Sequence, residues 1–206
     1  MKLIIKKYPV GLIQANCYLV FDEESKEGII IDPGAEEEKI FSECSKNSLK
    51  IRYIILTHGH DDHIGAVYGL KNTLGAKVLF NIKDDYLIQG KTQKMTPYFK
   101  DIKAFEGDEY VKNGDKLEVQ GMQINIIATP GHTPGGICIL INNVLFTGDT
   151  LFQGSVGRTD LEFGSHEILI KSINEKLMLL DPNTIVYPGH GNKTTIGQES
   201  KSNQFL

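Results

Sequence analysis

The feature that most constrains the fold is a strand-like run that stops abruptly at a group of polar side chains. Residues 51–56 read IRYIIL, a β-branched apolar run typical of a strand that is buried on both faces. The next seven residues read THGHDDH and carry four candidate ligands: His58, His60, Asp62 and His63. Four such side chains within six residues cannot all point one way from a helix or strand. We therefore expect a loop that splays them.

The imidazole and carboxylate groups of this loop favour a metal site. A lone histidine in a loop usually indicates only a solvated side chain, but here three histidines are interleaved with acids. His58 and His60 would reach one ion, and Asp62 and His63 would reach a second. These donor types suit zinc, and they also suit manganese or iron. Glycines at 59 and 65 would let the backbone approach a metal closely.

Three further candidate ligands each follow another strand-like run and stand alone in a turn-rich loop. They are His132 in TPGHTPGG, Asp149 in TGDT and His190 in YPGHG. Each residue would be a weak signal by itself. The ends of strands on a rigid sheet are where a site with many ligands can be assembled, so we predict that these residues join the first group.

The rest of the pattern alternates strands with helical segments. Further strands are predicted over residues 2–6, 16–21, 28–31, 77–81, 123–128, 136–141, 144–148 and 184–190. Asn142-Asn143 tolerates the positive φ of a tight hairpin. Helical spacing covers 63–75, and a helix with Ser165 as its N-cap is predicted to run to about Leu180. This order indicates an α/β (α+β) fold with two sheets packed face to face and helices outside.

Length and composition fit one domain that spans residues 1–206. Apolar residues make up 40% of the chain and charged residues 23%, which is ordinary for a globular protein. The net charge is −4, with lysines and acids interleaved rather than grouped. Because no basic face is visible, we expect no nucleic-acid partner.

Targeting features favour a cytoplasmic protein without a membrane partner. The apolar run in MKLIIKKYPV is too short for a signal peptide, and no stretch approaches the roughly 20 apolar residues of a membrane span. Cys17, Cys44 and Cys138 lie far apart, and such a sparse, odd count favours reduced and buried thiols. The oligomeric state is left open.

The order of these motifs resembles the metallo-β-lactamase superfamily: HxHxDH, a single His, an Asp in GDTLF and a final His in PGHG. Within it, the segments TPGHTPGG, GDTLFQGSVGRTDL and TTIGQESKSNQFL are similar to the single-domain glyoxalase II-like (hydroxyacylglutathione hydrolase-like) hydrolases. The resemblance is least characteristic over residues 81–118. It implies an αβ/βα sandwich of two mixed sheets with a dinuclear site at one edge.

The resemblance also implies how seven residues divide between two divalent ions, most simply zinc, with iron or manganese as alternatives. Three histidines would bind the first ion: His58, His60 and His132. Three residues would bind the second: Asp62, His63 and His190. Asp149 would bridge both ions.

Such a pair of ions supports hydrolysis. Two dications that share a water lower its pKa to near 7, which yields a bridging hydroxide at neutral pH. One ion can polarise a carbonyl while the other steadies a thiolate leaving group, so no serine or cysteine nucleophile is needed. Asp62 is the candidate catalytic residue, because it could orient the hydroxide and accept its proton as well as bind metal.

Two other residues have alternative interpretations. Asp32, in IIIDPG, either accepts the free N–H of a ligand histidine or forms a plain Asp-Pro-Gly turn. Arg158, in GSVGRTD, is at a position that the resemblance associates with a substrate carboxylate, which a guanidinium suits. The alternative for Arg158 is an ion pair with Asp160. His166, in the first turn of a predicted helix, is expected to be exposed to solvent.

The leading functional hypothesis is a metal-dependent thioesterase whose partner is a small-molecule 2-hydroxyacyl thioester such as S-lactoylglutathione. The alternative is a persulfide dioxygenase, which the resemblance would give a single iron at His58, His132 and Asp149. A lactonase ranks below both. A β-lactamase is less favoured, since the bridging position holds Asp149 rather than cysteine.

Overall fold

A computed structural model describes residues 2–89 and 102–206, and these residues contain two large sheets. The strands of the first sheet are in sequence order: β1 (Leu3–Val10), β2 (Ala15–Asp22), β3 (Glu27–Ile31), β4 (Lys50–Ile55), β5 (Lys77–Phe80) and β6 (Glu109–Tyr110). The first two pairings are antiparallel, and the pairings from β3 through β6 are parallel. The sheet is therefore mixed.

The second sheet is also mixed. Its strands are β7 (Lys116–Val119), β8 (Met122–Ala128), β9 (Ile137–Ile141), β10 (Val144–Gly148), β13 (Ile185–Pro188) and β14 (Thr194–Thr195). Their order is β14-β13-β10-β9-β8-β7, and only the β10–β13 pairing among them is parallel. A separate two-stranded ribbon follows β10 and comprises β11 (Leu151–Phe152) and β12 (Ser155–Val156).

Helical segments connect or flank these strands. They are α1 (Glu37–Lys46), α2 (Asp61–Ile64), α3 (Val67–Leu74), a 3₁₀ turn (Ile82–Asp84), α4 (Asp85–Ile88), α5 (His166–Ser172), a π-helical turn (Ile173–Leu177) and α6 (Ile196–Ser202). Ser165 caps α5, since its side chain accepts a hydrogen bond from the amide of Ile168.

Three buried apolar clusters hold these layers together. The central cluster lies between the sheets, where Tyr18 contacts Phe146 edge-on at 5.1 Å between ring centroids. A second cluster packs α1 and α3 on the outer face of the first sheet through Ile40 and Leu70. A third packs α5 on the outer face of the second sheet through Leu169. The order of layers is helix, sheet, sheet, helix, which confirms the predicted sandwich.

Alternation along the strands explains why both faces of each sheet are covered. Ile29 and Ile31 face the central cluster, whereas Ile30 faces the outer one. The strand predicted over 51–56 is buried on both faces only toward its C-terminal end, because Arg52, near its start, is exposed. The other predicted strands are confirmed with small shifts at their ends, and β1 continues to Val10.

Two predicted helices are interrupted. The segment 63–75 divides into α2 and α3, because the amide of Ala66 leaves the helical ladder and donates to the carbonyl of Pro33 at 2.9 Å. The helix after Ser165 widens into a π-helical turn, where the amide of Met178 donates to Ile173 O. Ile173 and Leu177 both remain buried across this turn.

Within the described ranges, no helix has the length and apolar character that crossing a membrane requires. All three cysteines are free and buried there.

The same sheets set where the polar loops emerge. β3 and β4 are parallel neighbours, and β10 and β13 are parallel neighbours in the other sheet. The C-terminal ends of neighbouring parallel strands share an edge. Loops that begin at Asp32 and Thr57 therefore leave one edge of the first sheet, and loops that begin at Asp149 and Gly189 leave one edge of the second. The contact of His63 with Asp149 shows that these two edges meet at the same end of the sandwich.

Candidate metal centre

Three of the predicted ligands form one cluster of ring nitrogens. They are His58, His60 and His132, all buried, and one ligand atom from each lies within 4.8 Å of the others. His60 Nδ1 and His132 Nε2 are 2.9 Å apart. The loop after β4 therefore meets the loop after β8, and three imidazoles converge.

A second cluster lies beside the first and combines a carboxylate with two imidazoles. Asp62 Oδ2 is 3.2 Å from His63 Nε2 and 3.1 Å from His190 Nε2. Asp62 and His63 belong to the short helix α2, and His190 follows β13. His63 is completely buried, whereas His190 is partly exposed.

Asp149 lies between the two clusters. Its Oδ1 is 3.4 Å from His63 Nε2, and its Oδ2 is 3.7 Å from His132 Nε2 and 3.6 Å from His190 Nε2. One carboxylate thus faces ligands from both groups. This is the position that a residue bridging two ions requires.

The opposite ring nitrogens of three histidines are held by other protein groups. His63 Nδ1 donates to Asp32 Oδ2 at 3.0 Å, and His132 Nδ1 donates to the carbonyl of Arg158 at 2.7 Å. His58 Nδ1 is 3.1 Å from Thr57 Oγ1. In the neutral form of such a ring, a donating Nδ1 leaves the lone pair on Nε2, and each of these rings turns Nε2 toward the cluster.

Asp32 connects the two clusters behind the ligands. Besides His63, its carboxylate accepts the amide of Thr57 at 2.7 Å and the Thr57 hydroxyl at 2.5 Å. Because that hydroxyl gives its proton to Asp32, it can accept the Nδ1 proton of His58. Asp32, His58 and His63 lie close enough together to resemble a third ligand group. The oxygens of Asp32, however, already accept hydrogen bonds from Thr57 and His63.

The residues present fit divalent cations. In the part of the chain that the structure describes, three buried atoms of these clusters have no hydrogen-bond partner: His58 Nε2, His63 Nε2 and Asp149 Oδ1. Leaving a buried polar atom unpaired costs about 1–3 kcal/mol. Imidazole nitrogens and carboxylate oxygens that converge in this way are the donor set of zinc and similar metals.

The family assignment agrees with this geometry. The sequence model for the metallo-β-lactamase superfamily matches residues 10–190. This chain belongs to the metallo-β-lactamase superfamily. It is 41% identical over 207 residues to the hydroxyacylglutathione hydrolase GloC of Haemophilus influenzae, a match that covers 98% of this chain and 97% of that relative. The chain is accordingly a metal-dependent hydrolase, as predicted.

Two solved structures share the whole fold. The crystal structure of the BLEG-1 B3 metallo-β-lactamase is 36% identical, with a TM-score of 0.91 and coverage of 98% of this chain and 99% of that one. The protein TTHA1623, crystallised in a di-iron-bound form, is 32% identical, with a TM-score of 0.80 and coverage of 98% and 100%. The predicted fold class is thereby confirmed.

The two clusters of this superfamily member differ in charge. Burial, and then the neighbouring histidines, lower the pKa of His60 to about 3 and bring the pKa of His58 well below its ordinary value. At His63, burial acts to lower the pKa, but the carboxylates of Asp62 and Asp149 outweigh it and raise the pKa above its ordinary value. His58 and His60 therefore offer neutral donors, whereas the second cluster is a set of ion pairs in which a cation would replace protons.

The remaining predicted residues lie outside the clusters. Arg158 has an exposed side chain that pairs with both carboxylate oxygens of Asp160 at 2.8 Å. The backbone carbonyl of Arg158 nevertheless accepts a hydrogen bond from His132 Nδ1. The identity of the side chain gives no indication of this backbone contact. His166 is exposed at the start of α5, as predicted.

Sequence analysis missed one buried acid at this site. Asp84, in the 3₁₀ turn after β5, accepts hydrogen bonds from residues in both loops that supply the first cluster. In the sequence it is one of two consecutive aspartates in NIKDDY, with no apolar periodicity or turn motif to distinguish it from a surface acid.

Proposed function

We propose that this chain is a dinuclear thioesterase that hydrolyses 2-hydroxyacyl thioesters such as S-lactoylglutathione. The observation that carries the proposal is the pair of clusters that share Asp149. The relative from Haemophilus influenzae, named a hydroxyacylglutathione hydrolase, supports the substrate class.

In this proposal, His58, His60 and His132 would hold the first ion. Asp62, His63 and His190 would hold the second, and Asp149 would be available to both. Zinc is the proposed metal, because imidazole nitrogens predominate among the donors; iron and manganese accept the same donors. When bound, two such cations lower the pKa of a shared water and polarise the substrate carbonyl.

The protein groups around the ions have separate tasks. Asp32 keeps His58 and His63 in the tautomer that presents Nε2, through the contacts that it makes with Thr57 and with His63 itself. The Arg158 carbonyl does the same for His132. In hydrolysis, a water oxygen bonds to the acyl carbon and the carbon–sulfur bond breaks. The products are a 2-hydroxy acid and a thiol.

Metal removal tests the proposed activity. Zinc-loaded protein should contain about two ions per chain and cleave S-lactoylglutathione, and a chelator should abolish cleavage until zinc is restored. His166→Ala is the matched control, since this exposed histidine lies outside both clusters. Oxygen uptake with glutathione persulfide and cleavage of a β-lactam are measured on the same preparation. One iron per chain with persulfide-dependent oxygen uptake and no thioester cleavage would contradict the proposal and favour the dioxygenase.

Asp62 is proposed to accept the proton of the attacking water as well as to bind metal. Its carboxylate is buried, and although burial opposes ionisation, His63 and His190 lower its pKa. In Asp62→Asn, kcat at saturating zinc should fall about 100- to 10,000-fold, because an amide cannot accept that proton. Metal content measured in the same sample separates this loss from loss of the ion. Normal metal content together with a normal kcat would eliminate the role.

Arg158 is proposed to bind a carboxylate of the substrate after leaving Asp160. Both side chains are exposed, so their pairing stabilises the protein little and exchange with a substrate carboxylate is open. Arg158→Gln should raise KM for S-lactoylglutathione about fivefold and leave a thioester of an uncharged thiol unaffected. Asp160→Asn, which frees the guanidinium, should change KM in the opposite direction. Equal changes for both thioesters would argue against the contact.

A further inference from the structure

Asp84 has the surroundings of a residue with a specific task. Its side chain is buried, with a relative exposure of 1% for the residue. It lies at the end of the 3₁₀ turn Ile82–Asp84, which follows β5 and is capped by the side chain of Asn81. Burying a carboxylate is costly unless strong donors surround it. The identity of those donors therefore indicates what the burial achieves.

Three donors converge on this carboxylate, and they come from two loops. The amide of Gly59 donates to Oδ2 at 3.0 Å, from the loop that carries His58 and His60. The hydroxyl of Thr133 donates to Oδ2 at 2.8 Å, and the amide of Gly135 donates to Oδ1 at 2.6 Å. Thr133 follows His132 directly, and Gly135 lies in the same loop. One acid thus connects the segments that supply every member of the histidine-only cluster.

Both loops have glycine where Asp84 approaches. A Cβ atom on Gly135 would lie 2.5 Å from Asp84 Oδ1, and one on Gly59 would lie 3.1 Å from the Asp84 carbonyl and 2.9 Å from Leu87 Cβ. Real Cβ atoms do not tolerate the first distance, so a side chain at 135 would displace the carboxylate. Glycine at position 59 therefore allows this loop to pack closely against the segment that contains Asp84 and Leu87.

The second cluster has different supports. Asp32 holds His63, and the side-chain amide of Asn16 donates to the carbonyls of Pro188 and Gly191 on either side of His190. The hydrogen bonds of Asp84 thus support the first cluster, and those of Asn16 support the second. Asp32 reaches both, since Thr57 relays its contact to His58.

We propose that Asp84 is a positioning residue that sets the affinity of the first metal site and leaves the second site unchanged. By joining the two loops, it fixes the separation of His58 and His60 from His132 before an ion arrives. Without it, the ion would have to draw the loops together, and binding would weaken. This inference rests on the proposed two-ion assignment.

The test compares Asp84→Asn in two backgrounds, each with one cluster disabled. An amide nitrogen cannot accept from the Gly59 or Gly135 amide, so the link between the loops breaks on one side. With His190→Ala, which disables the second cluster, the dissociation constant for zinc at the remaining site should rise about 10- to 100-fold. With His60→Ala, which disables the first cluster, Asp84→Asn should change the dissociation constant for zinc at the second site less than about twofold. Competition with a chromogenic chelator measures both values without any activity assay.

Matched variants separate positioning from general damage. Asp85→Asn makes the same chemical change one residue along, at a partly exposed position, and should leave both affinities unchanged. Asp32→Asn should weaken both sites. If Asp84→Asn fails to fold, Thr133→Val removes one donor and should weaken the first site about fivefold, the equivalent of one hydrogen bond. Thr133→Ser, which keeps the hydroxyl, should retain the wild-type zinc affinity of the first site.

The outcomes distinguish this inference from the function on which it rests. If the wild-type protein binds two ions and each histidine variant loses one, an unchanged first-site affinity in folded Asp84→Asn overturns the role of Asp84 alone. Equal weakening of both sites also overturns it, since that is the effect of a general structural residue. If the wild-type protein binds no ion at these clusters, the metal assignment and the role of Asp84 both fail.

Discussion

The convergence of seven ionisable side chains in a largely buried space is the constraint on which the rest of this structure depends. His58, His63 and Asp149 have buried atoms that lack a hydrogen-bond partner among the described residues. Such atoms destabilise a folded chain unless cations occupy the space between them. The second cluster compensates in part by ion pairing, and in the first cluster burial lowers the pKa of His58 and His60 and keeps these two rings neutral. Metal binding and folding are therefore coupled here.

The architecture meets this constraint in two stages. Two mixed sheets with apolar residues on both faces first provide a rigid frame, which delivers loops to one edge. Hydrogen bonds outside the ligand set then orient the rings: Asp32 acts across both clusters, the Arg158 carbonyl acts on His132, and Asp84 joins two of the loops. Ligand geometry held to within a fraction of an ångström requires such support.

The sequence was sufficient to predict the seven clustered residues and nine strands, β1–β5, β8–β10 and β13, because both signals are local; the short strands β6, β7, β11, β12 and β14 were not predicted. Apolar runs such as 28–31 and 51–56 identify buried strands, and the ligands follow such runs directly. Helix α1 was not predicted, since Glu36 provides no side-chain cap and the helix buries only Ile40 and Cys44. Asp84 could not be identified, because its partners lie 25, 49 and 51 residues away along the chain. Only tertiary structure brings them to one carboxylate.

The two-ion site is the central claim, and a crystal structure of zinc-loaded protein with anomalous scattering measured at the zinc absorption edge tests it most directly. The expected result is two anomalous peaks about 3.5–4 Å apart. One peak should lie among His58, His60 and His132, the other among Asp62, His63 and His190, and Asp149 should contact both. A single peak at full zinc occupancy, or zinc bound away from these residues, would contradict the account.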